Sequence, residues 1–213
     1  MDTCCNNSYQ DTFDHKRAHK EWKEYEKSGV KANSRPLMDL IRSVDLKAGS
    51  MLEIGGGIGA LIFESFKLGL AKANYVDISQ AYSDTFITAL KEKGLREKVE
   101  PRLGDFVELS PEIPQVDLVV LDKVICCYEN YEELIKASTA KSSQWYAITI
   151  PRDTWWVKLV HGFGNVFRKL QKNPFKSFIH AHQDIFSVLE KEGFSLRKEK
   201  KRREWQSFLL ERT

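Results

Sequence analysis

The spacing of apolar side chains along the chain switches between two periods, and each switch marks an element. Residues 9–27, YQDTFDHKRAHKEWKEYEK, are mostly charged, yet Tyr9, Phe13, Trp22 and Tyr25 fall close to one helical face. Gly29 ends that helix, and KANS links it to the next. Ser34 is placed to cap the second helix, with Pro36 tolerated in its first turn. Leu37, Leu40, Ile41 and Val44 then follow at i, i+3, i+4 and i+7. After LKAGS the period shortens. MLEI (51–54) reads as a strand running into GGGIGA, and a helix over 60–68 stops at Gly69. NYVD (74–77) is a second strand, followed by a helix in SDTFITALKEKG that ends at Gly94. VEPRLGD (99–105) holds a third strand, and VDLVVLD (116–122) is apolar enough for burial on both faces. YEELIKAS is helical, and WYAITIP (145–151) is a fifth strand stopped by its proline. Helices are expected over 155–171 and 182–192, and FSLRKEKK and WQSFLLER close the chain as a hairpin.

Strands alternating with helices predict an α/β fold. It is a Rossmann-like doubly wound sheet, mostly parallel with an antiparallel C-terminal hairpin strand, and helices on both faces. Residues 1–33, with their thin apolar stripe, are expected to form a helical lid over a main domain of residues 34–213. In such sheets ligands sit beyond the carboxyl ends of the strands, where the strand order reverses. The unusual residue clusters of this chain fall there.

LEIGGGIGA opens a helix directly after a strand. Gly55 and Gly57 allow a tight turn and close approach to a ligand, and Gly59 allows the new helix to pack closely. Gly55, Gly57 and Ala60 also fit the dinucleotide fingerprint G-x-G-x-x-G/A, so a nicotinamide-dependent oxidoreductase is an alternative. Asp77 ends the second strand 20 residues after Gly57, where an acid can accept from ribose hydroxyls. Gly104-Asp105-Phe106 follows the third strand; its carboxylate can accept from an adenine amine while the aromatic ring closes over the base. Glu53, inside the first strand, suits a cationic ligand better than a pyrophosphate.

Composition narrows the partners. The formal net charge of +3 over 213 residues is too small to decide them. No apolar run approaches the roughly 20 residues that span a bilayer, so no membrane partner is expected. The N-terminus is polar and acidic, unlike a signal peptide, and a reducing cytoplasm is the expected setting. The four cysteines form two doublets, Cys4-Cys5 and Cys126-Cys127. Adjacent residues are awkward tetrahedral ligands, so no metal is expected; packing and substrate contact are the open readings.

In order and spacing these motifs resemble those of the class I S-adenosylmethionine-dependent methyltransferases. Glu53-Ile54-Gly55-Gly56-Gly57-Ile58-Gly59 matches their E-x-G-x-G-x-G motif, Asp77 the ribose-binding acid, and Gly104-Asp105-Phe106 the adenine-binding motif. The resemblance implies S-adenosyl-L-methionine as cofactor, held by Glu53, Gly55, Gly57, Gly59, Asp77, Ile78, Gly104, Asp105, Phe106 and Asp122. It implies methyl transfer but leaves the acceptor open, because an in-line displacement on an activated donor needs mainly alignment and desolvation.

The distal motifs are similar to those of a little-characterised bacterial group acting on small molecules. They are Cys4-Cys5 with Tyr9 and Phe13-Asp14, Cys126-Cys127-Tyr128, Pro151-Arg152 with Trp155-Trp156, and Phe178 with His180. The order of parts also resembles magnesium-protoporphyrin O-methyltransferase. Leu121-Asp122-Lys123-Val124 stands where amine-directed base methyltransferases carry Asn/Asp-Pro-Pro-aromatic, and RKEKKRRE (197–204) reads as the solvated face of an edge hairpin. Nucleic acid is therefore not the expected partner, and a methyltransferase acting on it stands as an alternative. The expectation is O- or N-methylation of a small aromatic or apolar acceptor in a pocket of Tyr25, Tyr128, Trp155, Trp156 and Phe178. His180, Tyr128 and Arg152 are the candidate catalytic residues, His180 or His182 as base and Arg152 as a carboxylate clamp. Both cysteine doublets would then border one cavity.

Overall fold

Seven strands make one sheet in the order β3-β2-β1-β4-β5-β7-β6. They are β1 Ser50–Ile54, β2 Lys72–Asp77, β3 Val99–Leu103, β4 Val116–Asp122, β5 Ser142–Pro151, β6 Phe194–Arg202 and β7 Trp205–Arg212. The computed structural model describes residues 10, 12–170 and 177–213, and not the side chains of 161 and 164–170. Cys4, Cys5 and Tyr9 lie outside the described residues. Neighbours among β1 to β5 run parallel, and β7 is antiparallel to both β5 and β6. From β1 the chain moves outward to β2 and β3, then crosses back to β4. The order therefore reverses between β1 and β4.

The helices are α1 His15–Ser28, α2 Arg35–Ile41, α3 Ala60–Lys67, α4 Gln80–Glu92, the short α5 Phe106–Leu109, α6 Tyr131–Thr139, α7 Trp155–Leu170 and α8 His182–Lys191. Side chains alternate across the strands into two cores. Met51, Leu118 and Val120 meet Leu37, Phe63 and Phe86 on one face; Leu52, Val119 and Leu121 meet Leu134, Ile185 and Leu189 on the other. Among the described residues no helix is long and apolar enough to cross a membrane.

Helix α1 starts at Asp14, whose carboxylate accepts from the Arg17 N–H, and ends at Gly29 (φ +69°), whose N–H donates to the Tyr25 carbonyl. Its apolar face is continuous with the first core. Ala18, Trp22 and Tyr25 are buried, and the Trp22 ring lies 5.4 Å from that of Phe63. Ser34 precedes α2 as expected but makes no capping bond; its hydroxyl donates to Asp122 Oδ2 at 2.6 Å instead. The hydroxyl oxygen that would accept from a helix-end N–H accepts instead from the Lys123 ammonium at 2.7 Å, a charged and stronger donor.

Candidate functional site

The carboxyl ends of β1, β2 and β4 open on a cavity of about 600 Å³ at the reversal of strand order. Its floor is the glycine loop. The Gly55 and Gly56 N–H groups donate to the Val76 carbonyl at 2.8 and 3.3 Å, joining the loop to the end of β2. Gly57 (φ +56°) donates its N–H to Asp77 Oδ2 at 2.8 Å. Gly59 (φ +71°) turns the chain into α3 against the Phe86 ring, where a Cβ would fall 2.1 Å from Cε2. Gly59 does not itself line the cavity; the other cofactor-site residues expected from sequence, from Glu53 to Asp122, all do.

Acids surround this cavity with unmet acceptors. Asp77 accepts from the Gly57 N–H and, through Oδ1, from the Ser79 N–H at 2.8 Å. Burial pushes its carboxyl up to about 6, against the pull of those backbone donors. Burial likewise pushes Glu53 well above the carboxylate range, and the charges of Asp122 and Asp77 add to the rise. Asp105 Oδ1 accepts from the Tyr128 hydroxyl at 2.5 Å and the Val107 N–H at 2.8 Å. Asp122 Oδ2 accepts from Ser34 and pairs with Lys123 Nζ at 2.8 Å. Glu53 Oε2, Asp105 Oδ2 and Asp122 Oδ1 are buried without a partner. Three such carboxylate oxygens around one cavity call for a ligand rich in donors or positive charge, since an unmatched buried acceptor costs about 1–3 kcal/mol.

The opposite wall mixes aromatic, aliphatic and cationic side chains: Tyr25, Val124, Tyr128, Trp205, Arg17 and Lys123. Lys123, which sequence reasoning passed over, holds a left-handed backbone (φ +65°) right after β4. Its ammonium bridges Asp122 and the Ser34 hydroxyl (2.7 Å) and lies 5.9 Å from the centre of the Trp205 ring. A lysine directly after a buried strand end was the available signal. Cys126 and Cys127 line the cavity too, with Sγ atoms 4.0 Å apart and both thiols directed at the Lys123 carbonyl.

Other expected residues lie elsewhere. The His180 ring is hydrogen-bonded to the Tyr128 carbonyl at 2.9 Å and packs on Tyr131; burial lowers its pKa. His182 is bonded to the Pro151 carbonyl at 2.8 Å, and Arg152 donates to the Arg203 carbonyl at 3.2 Å. None of the three lines the cavity, nor do Trp155, Trp156 and Phe178. Tyr128 does, with its hydroxyl given to Asp105. Gln10 reaches the loop after β2, donating to the Ile78 carbonyl at 2.9 Å and accepting from the Gln80 N–H at 3.1 Å. Ser79 donates to the Phe13 carbonyl at 2.7 Å.

No protein-family model and no curated protein matches the chain. Solved structures do. Magnesium protoporphyrin IX methyltransferase (ChlM) from Synechocystis PCC 6803 with bound SAH superposes with a TM-score of 0.71 at 16% identity, covering 96% of this chain and 98% of that one. Its SAM-bound form gives 0.70 at 15% identity, covering 100% and 98%. An O-methyltransferase family protein from Burkholderia thailandensis gives 0.68 at 14% identity over 84% of this chain and 56% of that one. The ribosomal protein L11 methylase from Lactobacillus delbrueckii subsp. bulgaricus gives 0.63 at 16% identity over 86% and 80%.

The fold is that of the class I S-adenosylmethionine-dependent methyltransferases. The antiparallel β7 between β5 and β6 separates it from the dinucleotide-binding sheet, whose order is 3-2-1-4-5-6.

Proposed function

We propose that this protein is an S-adenosylmethionine-dependent methyltransferase acting on a small aromatic or apolar acceptor at oxygen or nitrogen. The observation that carries the reading is the trio of unpartnered buried oxygens on Glu53, Asp105 and Asp122 around a glycine-floored cavity. The donors and positive charges of S-adenosylmethionine match them in kind: an ammonium, a sulfonium charge, ribose hydroxyls and an adenine amine. Asp77 would take the ribose hydroxyls and Asp105 the adenine amine, beside Phe106; Glu53 and Asp122 would face the positive charges. Bound there, the cofactor supplies an activated methyl group. The chain's own work is alignment and exclusion of water. Tyr25, Val124, Tyr128 and Trp205 offer an apolar wall, and Lys123 and Arg17 suit an acidic group on the acceptor. The lid expected from residues 1–33 would act through Gln10 and Phe13 on the loop after β2 and Arg17 and Tyr25 on the wall.

Methyl-labelled S-adenosylmethionine, incubated with the protein and fractionated cell extract, tests the reading. Label is expected in a low-mass, organic-soluble product. Label in RNA or protein alone would replace the small acceptor with a macromolecule.

The Asp77 carboxyl also sets a pH dependence. Its folded pKa of about 6 stands above the ordinary 3.8, so ionisation opposes folding. That cost is absent below the ordinary value, grows as pH rises through the window, and is complete above about 6. Hydroxyl donors on a ligand favour the ionised form. Affinity for S-adenosylhomocysteine is therefore expected to rise from about pH 5 to about pH 7 and then level off. Asp77→Asn should flatten that rise in calorimetric titrations across pH. A flat wild-type profile would remove the carboxyl from the ligand contacts.

A further inference from the structure

Helix α7 presents apolar side chains to solvent. Trp155 is 74% exposed, Phe163 72%, Val160 56%, Leu159 52% and Trp156 36%, whereas Val157 is fully buried. At 3.6 residues per turn, the five exposed side chains fall within an arc of about 140° beside Val157, the buried one among the described side chains of the helix. Single exposed apolar residues are ordinary; five on one helical arc are not.

The surrounding sequence is one-signed. No acidic residue occurs between Asp153 and Asp184, while Lys158, Arg168, Lys169, Lys172 and Lys176 do. The 213-residue chain carries 30 acids in all, so this gap is a strong local bias. Tryptophan beside leucine and phenylalanine with flanking lysine and arginine is the composition of a helix lying in a membrane interface. A second copy of this chain is a poor occupant, because pairing two copies of so cationic a stretch of sequence would bring like charges together. Val160 and Ser177 also line the cavity, so the apolar face borders the mouth of the site.

We propose that α7 docks this protein on anionic lipid headgroups, with Trp155, Leu159 and Phe163 entering the headgroup–acyl boundary and an apolar acceptor reaching the cavity from the membrane. Such docking needs no membrane span, because an interfacial helix lies in the plane of the headgroups. The docking rests on the geometry and charge around α7, and only the acceptor's route rests on the methyltransferase reading. Vesicle binding and cofactor binding therefore fail separately.

The test is sedimentation of the full chain with phosphatidylcholine–phosphatidylglycerol vesicles, beside phosphatidylcholine alone. The expected result is binding to the anionic vesicles, a blue shift of tryptophan emission, and weakening by salt. The double variant Trp155→Glu/Phe163→Glu should bind at least about tenfold more weakly, since two large apolar side chains no longer enter the lipid. Both sites are solvent-exposed, so its thermal unfolding midpoint should match that of the wild type; a single Leu159→Glu variant gives a second, milder reading. Absence of binding to anionic vesicles would overturn the proposal. So would binding that these variants leave unchanged, or a self-association that they abolish in its place.

Discussion

Gly59→Ala is expected to lower the free energy of unfolding by about 2–5 kcal/mol, the sum of a left-handed penalty of about 1–2 and an overpacking cost of about 1–3. The new Cβ would lie 2.1 Å from Phe86 Cε2 and 2.3 Å from Cδ2. That ring cannot swing aside, because it is fully buried, stacked on Tyr75 at 4.2 Å and edge-on to Phe63 at 5.6 Å. Urea unfolding of the variant measures the loss. A second change, Phe86→Leu, should recover the overpacking part in the alanine background and not the backbone part. Simple additivity of the two substitutions would show that the clash is absent.

Asp77→Ala is expected to weaken binding of S-adenosylhomocysteine by about 10–150-fold, the loss of charge-assisted hydrogen bonds worth about 1.5–3 kcal/mol. The substitution also releases the Gly57 N–H from the carboxylate, so the glycine loop loses one of its ties to the end of β2. The Gly55 and Gly56 bonds to Val76 remain, and cooperative unfolding should persist. Calorimetry reports the affinity, and an unchanged value would take Asp77 out of the site.

Much of this architecture is legible in the sequence, because the signals are local. The change of period after LKAGS locates β1, and the glycines of GGGIGA demand the positive φ angles found at Gly55, Gly57 and Gly59. Asp77 and Asp105 follow strand ends, and strand ends are where this topology opens. What the sequence hides depends on distant partners. His180 looks like a free base until the Tyr128 carbonyl, 52 residues away, takes its ring. Ser34 looks like a cap until Lys123, 89 residues on, donates to its hydroxyl oxygen. Trp155 and Trp156 read as pocket residues because a motif resemblance carries residue types without saying which way the helix turns them; both are exposed. The N-terminal cysteines fall outside the described residues; Cys126 and Cys127 do face the cavity, as their place after β4 led one to expect.

The central claim is that the cavity between β1 and β4 takes S-adenosylmethionine, and the most direct measurement is calorimetric titration of the purified protein. S-adenosylhomocysteine and, separately, the nicotinamide dinucleotides serve as titrants. The account predicts one saturable site for S-adenosylhomocysteine and no heat with either dinucleotide. Binding of a dinucleotide with none of S-adenosylhomocysteine would contradict it.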